Sequence, residues 1–224
     1  QNGFVQRYET EKKKSYWIDE FKEDIPVLNL PLDYPRSSAN SAEAGVFSFA
    51  LDEKLVTGIK RLSGQEGISP FMFLLAVYNI VLHKYTQQDD IVVGVTTLGR
   101  DNQDLSGLIG MFVNNLPVRS RPEDDLTVGH YLKQIKQKLL NSFANQDYPF
   151  DELVESLSIV RDISRSPLFD VVFSYMNFEL SGMKNSEISI SDYQAGISIS
   201  SEYDLMLYGL EAQNRIYFTV KYKK

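Results

Sequence analysis

Residues 69–97 read SPFMFLLAVYNIVLHKYTQQDDIVVGVTT. Ser69 followed by Pro70 starts a helix, with a hydroxyl at the N-cap and a ring presetting φ at the first helical position. The run from Phe71 to Tyr85 is apolar nearly all round, which predicts a buried central helix. After a polar turn, Ile91–Thr97 is β-branched on both faces, which predicts an interior strand. A buried helix feeding an interior strand points to an α/β fold. We expect a two-layer α+β sandwich in which helices cover one mixed, largely antiparallel sheet.

The flanking sequence extends this pattern. Ser15–Lys22 reads as a short amphipathic helix with Trp17 and Phe21 on one face. The prolines of PVLNLPLDYPR, residues 26–36, exclude a regular helix and predict an extended connector. Val46–Leu51 suits a strand. Asp52 can cap a helix with Leu55, Ile59 and Leu62 on its apolar stripe, ending at Gly64 or Gly67. Thr127 can cap a helix to about Asn145, with Val128, Tyr131, Leu132, Ile135, Leu139 and Phe143 buried. Tyr148-Pro149 restarts a short helix. Leu168–Tyr175 reads as a strand, and several short strands follow between Glu187 and Tyr222, with a hairpin turn at Asn214. The helices at 69–85 and 127–145 should cover the sheet.

The 224 residues carry a net charge of −7 and no cysteine. The acidic balance argues against nucleic acid or an anionic membrane as main partner. The missing thiols exclude disulfides, a thiol nucleophile and thiolate metal sites, and fit a reducing cytoplasm. No signal peptide is expected at the N-terminus, and no apolar run is long enough to span a bilayer.

There are two histidines. His83, near the end of the apolar helix, reads as partly buried or capping, and His130 as solvated in a first helical turn. Neither sits in a metal-binding pattern, and no serine elbow or phosphate loop occurs. Asp89-Asp90 and Asp124-Asp125 read as solvated turn residues. Three stretches mix polar with buried-looking apolar residues: IGMFVNNLPVR (109–119), NQDYPFDELV (145–154) and RDISRSPLFDVVF (161–173). From the residues alone, each reads equally as a polar clasp holding loops or as part of a site.

In order and spacing, the three stretches resemble the fifth, sixth and seventh motifs of the condensation domains of non-ribosomal peptide synthetases. IVVGVTTLGR (91–100), YWIDEF with PVLNLPLDYPR, and SEYDLMLYG (201–209) are also similar to family segments. The resemblance covers essentially the whole chain and implies a chloramphenicol-acetyltransferase-like lobe. It also implies a lobe-junction helix and connector over residues 1–45 and the C-terminal lobe over 46–224. The family's HHxxxDG signature, which belongs to the N-terminal half, does not occur in these residues. The resemblance therefore implies half of an amide-forming domain, inactive alone and cytoplasmic. The alternatives are a stand-alone module that binds carrier domains without catalysis, and a free-standing acetyltransferase-like enzyme.

Carried over residue by residue, Asn114, Gly94 and Arg100 match positions along the substrate tunnel, Gly94 and Arg100 in the loop that floors it. Gly110, Phe112, Val113, Arg119, Gln146, Asp147, Pro149, Phe150, Arg161, Asp162, Ser164, Arg165, Pro167 and Asp204 match motif positions read as structural. Asn115 stands where the family has Thr. Ile109, Met111, Phe112 and Val113 should anchor their segment, while Asn114 points into a channel. The implied partners are the N-terminal lobe, donor and acceptor carrier domains with their phosphopantetheine arms, and a neighbouring adenylation domain. A homo-oligomer could also form through the exposed lobe interface. No metal or directly bound cofactor is implied.

Overall fold

The computed structural model describes residues 2–36, 43–99, 108–110, 112–159, 162, 164–177 and 200–224, with side chains from Thr10 onward. Arg100, Arg161, Met111 and the strands expected at 187–199 lie outside the described residues. The elements in chain order are α1 (Asn2–Glu20), β1 (Ala44–Leu51), α2 (Glu53–Glu66), α3 (Pro70–Thr86), β2 (Ile91–Thr97), β3 (Asn114–Ser120), α4 (Val128–Ala144), α5 (Phe150–Ser156), β4 (Val171–Asn177), β5 (Leu205–Ala212) and β6 (Arg215–Lys223).

The six strands form one mixed sheet in the order β1-β6-β5-β4-β2-β3. β2 and β5 run parallel to β4 between them, and the outer pairs are antiparallel. Alternation along β2 and β4 divides the core between two faces. Ile91, Val93, Val95, Val171 and Phe173 pack with α2, α3 and α4. Val92 and Val172 pack with Trp17 of α1, Phe21 just after it, Leu153 and Val154 of α5, and Phe169.

The expected caps form. Asp52, Ser69 and Thr127 each accept a backbone N–H from their own helix, and Gly67 ends α2 at φ 63. Gln213 and Asn214 both take positive φ at the β5–β6 hairpin.

Five expectations shift. First, α1 begins at Asn2 rather than Ser15. Second, α2 buries Val56 and Ser63 and leaves Leu55 and Leu62 exposed, so its inward stripe is turned by about one residue. Third, α3 is not buried all round, because Val77, Val81 and Tyr85 are exposed one turn apart. Fourth, Val128 at the start of α4 is exposed rather than part of the buried stripe. Fifth, β4 starts at Val171 rather than Leu168. Leu168 takes φ 69 and the Phe169 N–H donates to the Pro167 carbonyl, so this apolar pair plugs the core from a turn.

Candidate functional site

Gly94 lies inside β2, not in a loop, and the Phe169 ring packs directly on it. A Cβ at 94 would meet that ring at 2.3 Å, so only glycine admits it. Phe169 contacts Phe150 of α5 on one side and stacks on Tyr203 on the other, with ring centroids 5.5 Å apart in each pair. The Tyr203 hydroxyl accepts from Asn115 Nδ2 at 3.3 Å, and Asn115 Oδ1 accepts from Thr96 Oγ1 at 3.0 Å. Separate sequence stretches thus meet in one line running Phe150, Phe169, Tyr203, Asn115, Thr96.

The two amides divide the work. Asn115 is a cross-strand clasp, since it sits opposite Thr96 in the β2–β3 register. Its neighbour Asn114 sits opposite Thr97 and is half-buried. Asn114 Oδ1 accepts from the Asn115 N–H at 2.9 Å, and Nδ2 donates to the Gln146 carbonyl at 3.1 Å. That ties the start of β3 to the turn after α4, where the Trp17 indole also donates to the Asn145 carbonyl at 3.0 Å. An amide has two donors and two acceptor lone pairs, so Asn114 keeps hydrogen-bonding capacity for a ligand.

The segment before β3 is not the expected anchor. Ile109 and Val113 are exposed, and Phe112 is half-buried. The Phe112 carbonyl presses on Gly99 (φ 60), where a Cβ would lie 2.0 Å from it. Gly110, beside the Phe112 ring, is exposed.

At the other end of β3, Arg119 is buried. Its guanidinium donates to both Asp90 carboxylate oxygens at 2.8 and 2.7 Å, and to the carbonyls of Glu20 and Asp24. Asp90 is therefore not a solvated turn residue. Burial alone would raise its carboxyl, but Arg119 and Arg121 outweigh that and hold it below the usual carboxylate range. Nearby, His83 is buried, with Nδ1 at the Gln88 carbonyl and Nε2 at Asp124. Burial alone would lower it. The Gln88 carbonyl and Asp124 prevail, and the imidazole titrates above its ordinary value. Asp124 also pairs with Lys84, while His130 is exposed.

The remaining motif residues build the turns around the stack. Asp147 pairs with Lys13, and Pro149 opens α5. Asp162 accepts from the backbone and hydroxyl of Ser164. Arg165 pairs with Asp170 and also donates to the Leu28 carbonyl. Arg36 binds Asp204 and donates to the Ser164 carbonyl, strapping the connector across the end of the sheet.

Comparison with known proteins places this arrangement. The condensation-domain family model matches residues 1–224. The chain belongs to the condensation-domain family. It is 39% identical over 222 residues to bacitracin synthase 3 of Bacillus licheniformis, covering 99% of this chain and 4% of that protein. It is 41% identical over 221 residues to gramicidin S synthase 2 of Brevibacillus brevis, covering 99% of this chain and 5% of that one. The fold matches the condensation domain of the monacolin K polyketide synthase MokA with a TM-score of 0.82 at 22% identity, over all of this chain and 54% of that one. The chain thus spans a small fraction of these curated relatives. Among the described residues, no single helix of this condensation-family chain is long and apolar enough to cross a membrane.

The sequence reading missed Thr96, Asn115 and Tyr203 as a unit. Register would have found part of it, because counting back from a β2–β3 pairing sets a hydroxyl opposite Asn115. Tyr203 carries no such signal.

Proposed function

We propose that this chain is the C-terminal, substrate-positioning lobe of a condensation domain that joins two carrier-bound thioesters through an amide bond. One observation carries the reading: both histidines sit at the wrong end of the sheet to serve the paired amides. His83 contacts Gln88, just before β2, whereas Asn114 lies opposite Thr97 at the far end of that strand. Seven strand residues put these ends about 20 Å apart. His130 opens α4, and Gln146 lies just past its end, so a 17-residue helix separates it from Asn114 by about 25 Å. A base acting near Asn114 would then come from an HHxxxDG-bearing N-terminal lobe.

In this reading residues 1–45 form the lobe junction, and Asn114 offers its spare amide valences to a phosphopantetheine arm or a thioester carbonyl. Gly94 shapes the tunnel wall indirectly, by seating Phe169, and for Arg100 the role is the one that the family resemblance implies. Holding two tethered reactants in place supplies much of the acceleration of such a reaction. The partners are the N-terminal lobe, donor and acceptor carrier domains, and a neighbouring adenylation domain, in a cytoplasmic assembly. Exposed Val46, Phe47 and Phe49 on edge strand β1 support association with a second copy when the lobe stands alone.

The test assays amide formation from loaded donor and acceptor carriers, with this chain alone and with a separately produced N-terminal lobe. No product is expected from the chain alone, and product is expected from the pair. Asn114→Ala in the pair should lower kcat roughly tenfold while the fold is kept. Peptide formation by the isolated chain would overturn the reading. Tight binding of a holo carrier without the other lobe would favour the non-catalytic module instead.

A further inference from the structure

Lys13, Tyr16, Trp17 and Glu20 fall on one face of α1, at i, i+3, i+4 and i+7 spacing. All four reach the second half of α4 or the turn after it. Glu20 pairs with Lys138 at 2.6 Å, and Tyr16 Oη lies 3.3 Å from Ser142 Oγ. The Trp17 indole donates to the Asn145 carbonyl at 3.0 Å, and Lys13 Nζ lies 2.6 Å from Asp147. α1 therefore grips residues 142–147 at both ends and in the middle. The turn is itself tight, since the N–H groups of Asn145, Gln146 and Tyr148 donate to the carbonyls of Ser142, Phe143 and Asn145.

The carbonyl next to the one Trp17 holds belongs to Gln146, and it accepts from Asn114 Nδ2 at 3.1 Å. The other described bond of the Asn114 side chain, from the Asn115 N–H to Oδ1, is made with its own neighbour in β3. Among the described contacts, Gln146 is thus what orients this amide relative to the rest of the lobe. Trp17 is 1% exposed, and a buried indole N–H needs its acceptor. One planar peptide joins Asn145 to Gln146, so a displaced Asn145 carbonyl carries Gln146 with it.

We infer that Trp17 is a positioning residue for Asn114: the seating of α1 on residues 142–147 fixes the direction of the Asn114 amide. The coupling stands on these contacts alone. Its catalytic consequence rests on the proposed role of Asn114, and it makes a seated α1, part of the proposed lobe junction, a condition for presenting that amide.

The chain holds one tryptophan, so replacing tryptophan by 3-benzothienylalanine alters residue 17 alone and exchanges its N–H for sulfur at similar shape. The first readout is the Asn114 side-chain amide resonance in the 224-residue chain, identified by its loss in Asn114→Ala. The analogue should shift it and speed its exchange with water about fivefold, as weakening one hydrogen bond does. The backbone amides of Leu153 and Val154, in the same core cluster, should move less. Tyr16→Phe and Lys13→Gln, which each remove an outer grip, should give smaller changes of the same kind, and they decide the matter if the analogue chain does not fold. The second readout is amide formation with the separately produced N-terminal lobe. There the analogue should lower kcat about threefold at unchanged KM, an effect absent on the Asn114→Ala background. The coupling is overturned if the Asn114 resonance stays unmoved, if Leu153 and Val154 move as far, or if the kcat effect persists in Asn114→Ala. If the resonance moves while Asn114→Ala leaves kcat unchanged, the coupling stands and the proposed role of Asn114 falls.

Discussion

Strand β3 ends in two polar groups with opposite characters. At its C-terminal end Arg119 is buried and makes four hydrogen bonds, two to Asp90 and one each to the carbonyls of Glu20 and Asp24. This knot joins α1, the turn before β2 and β3. At its N-terminal end Asn114 and Asn115 are half-buried, and their bonds leave valences open. The first end behaves as core, and the second is the one we propose as a lining. Within one seven-residue strand, a charge with every partner fixed closes one end, while neutral amides with spare capacity keep the other available to a ligand.

This contrast can be broken experimentally. Arg119→Ala leaves the Glu20 and Asp24 carbonyls without this donor and Asp90 with Arg121 alone, and breaking a part-buried pair of this kind costs about 3 kcal/mol, the lower end for a buried one. Urea unfolding should show that loss, and a loss below about 1 kcal/mol would show that the knot does not hold the fold. Asn115→Ala removes one clasp at the half-buried end and should cost only about 1 kcal/mol. Asn115→Thr keeps a hydroxyl for Thr96 but cannot reach Tyr203, so its loss should be smaller still. Equal costs at Arg119 and Asn115 would erase the distinction between the ends.

The smallest effect sharpens the closed end through pH. The folded-state pKa of His83 is raised above its ordinary 6.5, so the stabilisation from its charged form is fully present below about pH 6.5 and is lost as pH rises through the folded value. Asp89 and Asp124 favour the cation and Lys84 opposes it. Melting temperature should therefore decline gently above pH 6.5 in the parent chain, and His83→Gln should flatten that slope. A slope unchanged in the variant would assign it to another group.

Local chemistry made much of the architecture legible. Ser69-Pro70, Asp52 and Thr127 announce their helices because capping depends on neighbouring residues alone. The interior character of β2 followed from β-branched residues on both faces. What misled was rotation and context. Leu55 and Leu62 look like the inward stripe of α2, yet Val56 packs inward, because the choice depends on what lies opposite. Leu168 and Phe169 look like strand residues, and only the tertiary fold shows them filling a turn. Asp90 looked solvated because its partner lies 29 residues on. In the site, the unusual pair Asn114-Asn115 was visible as an anomaly, but its division into a clasp and a lining needed the register and the ring of Tyr203.

The position of β1 bears on how the chain reaches this fold. Among the described strands β1 comes first in the sequence, and its neighbour in the sheet is β6, which comes last; the Ser48–Thr219 contact spans 171 residues. Closing so long a loop delays the reward of pairing, and sheets dominated by such contacts fold slowly. An apolar strand, AGVFSFAL, must therefore wait through the synthesis of the residues between them before its partner exists. During that wait it is a template for the wrong neighbour, so the interval between translating β1 and translating β6 is when this chain is most exposed to misassembly.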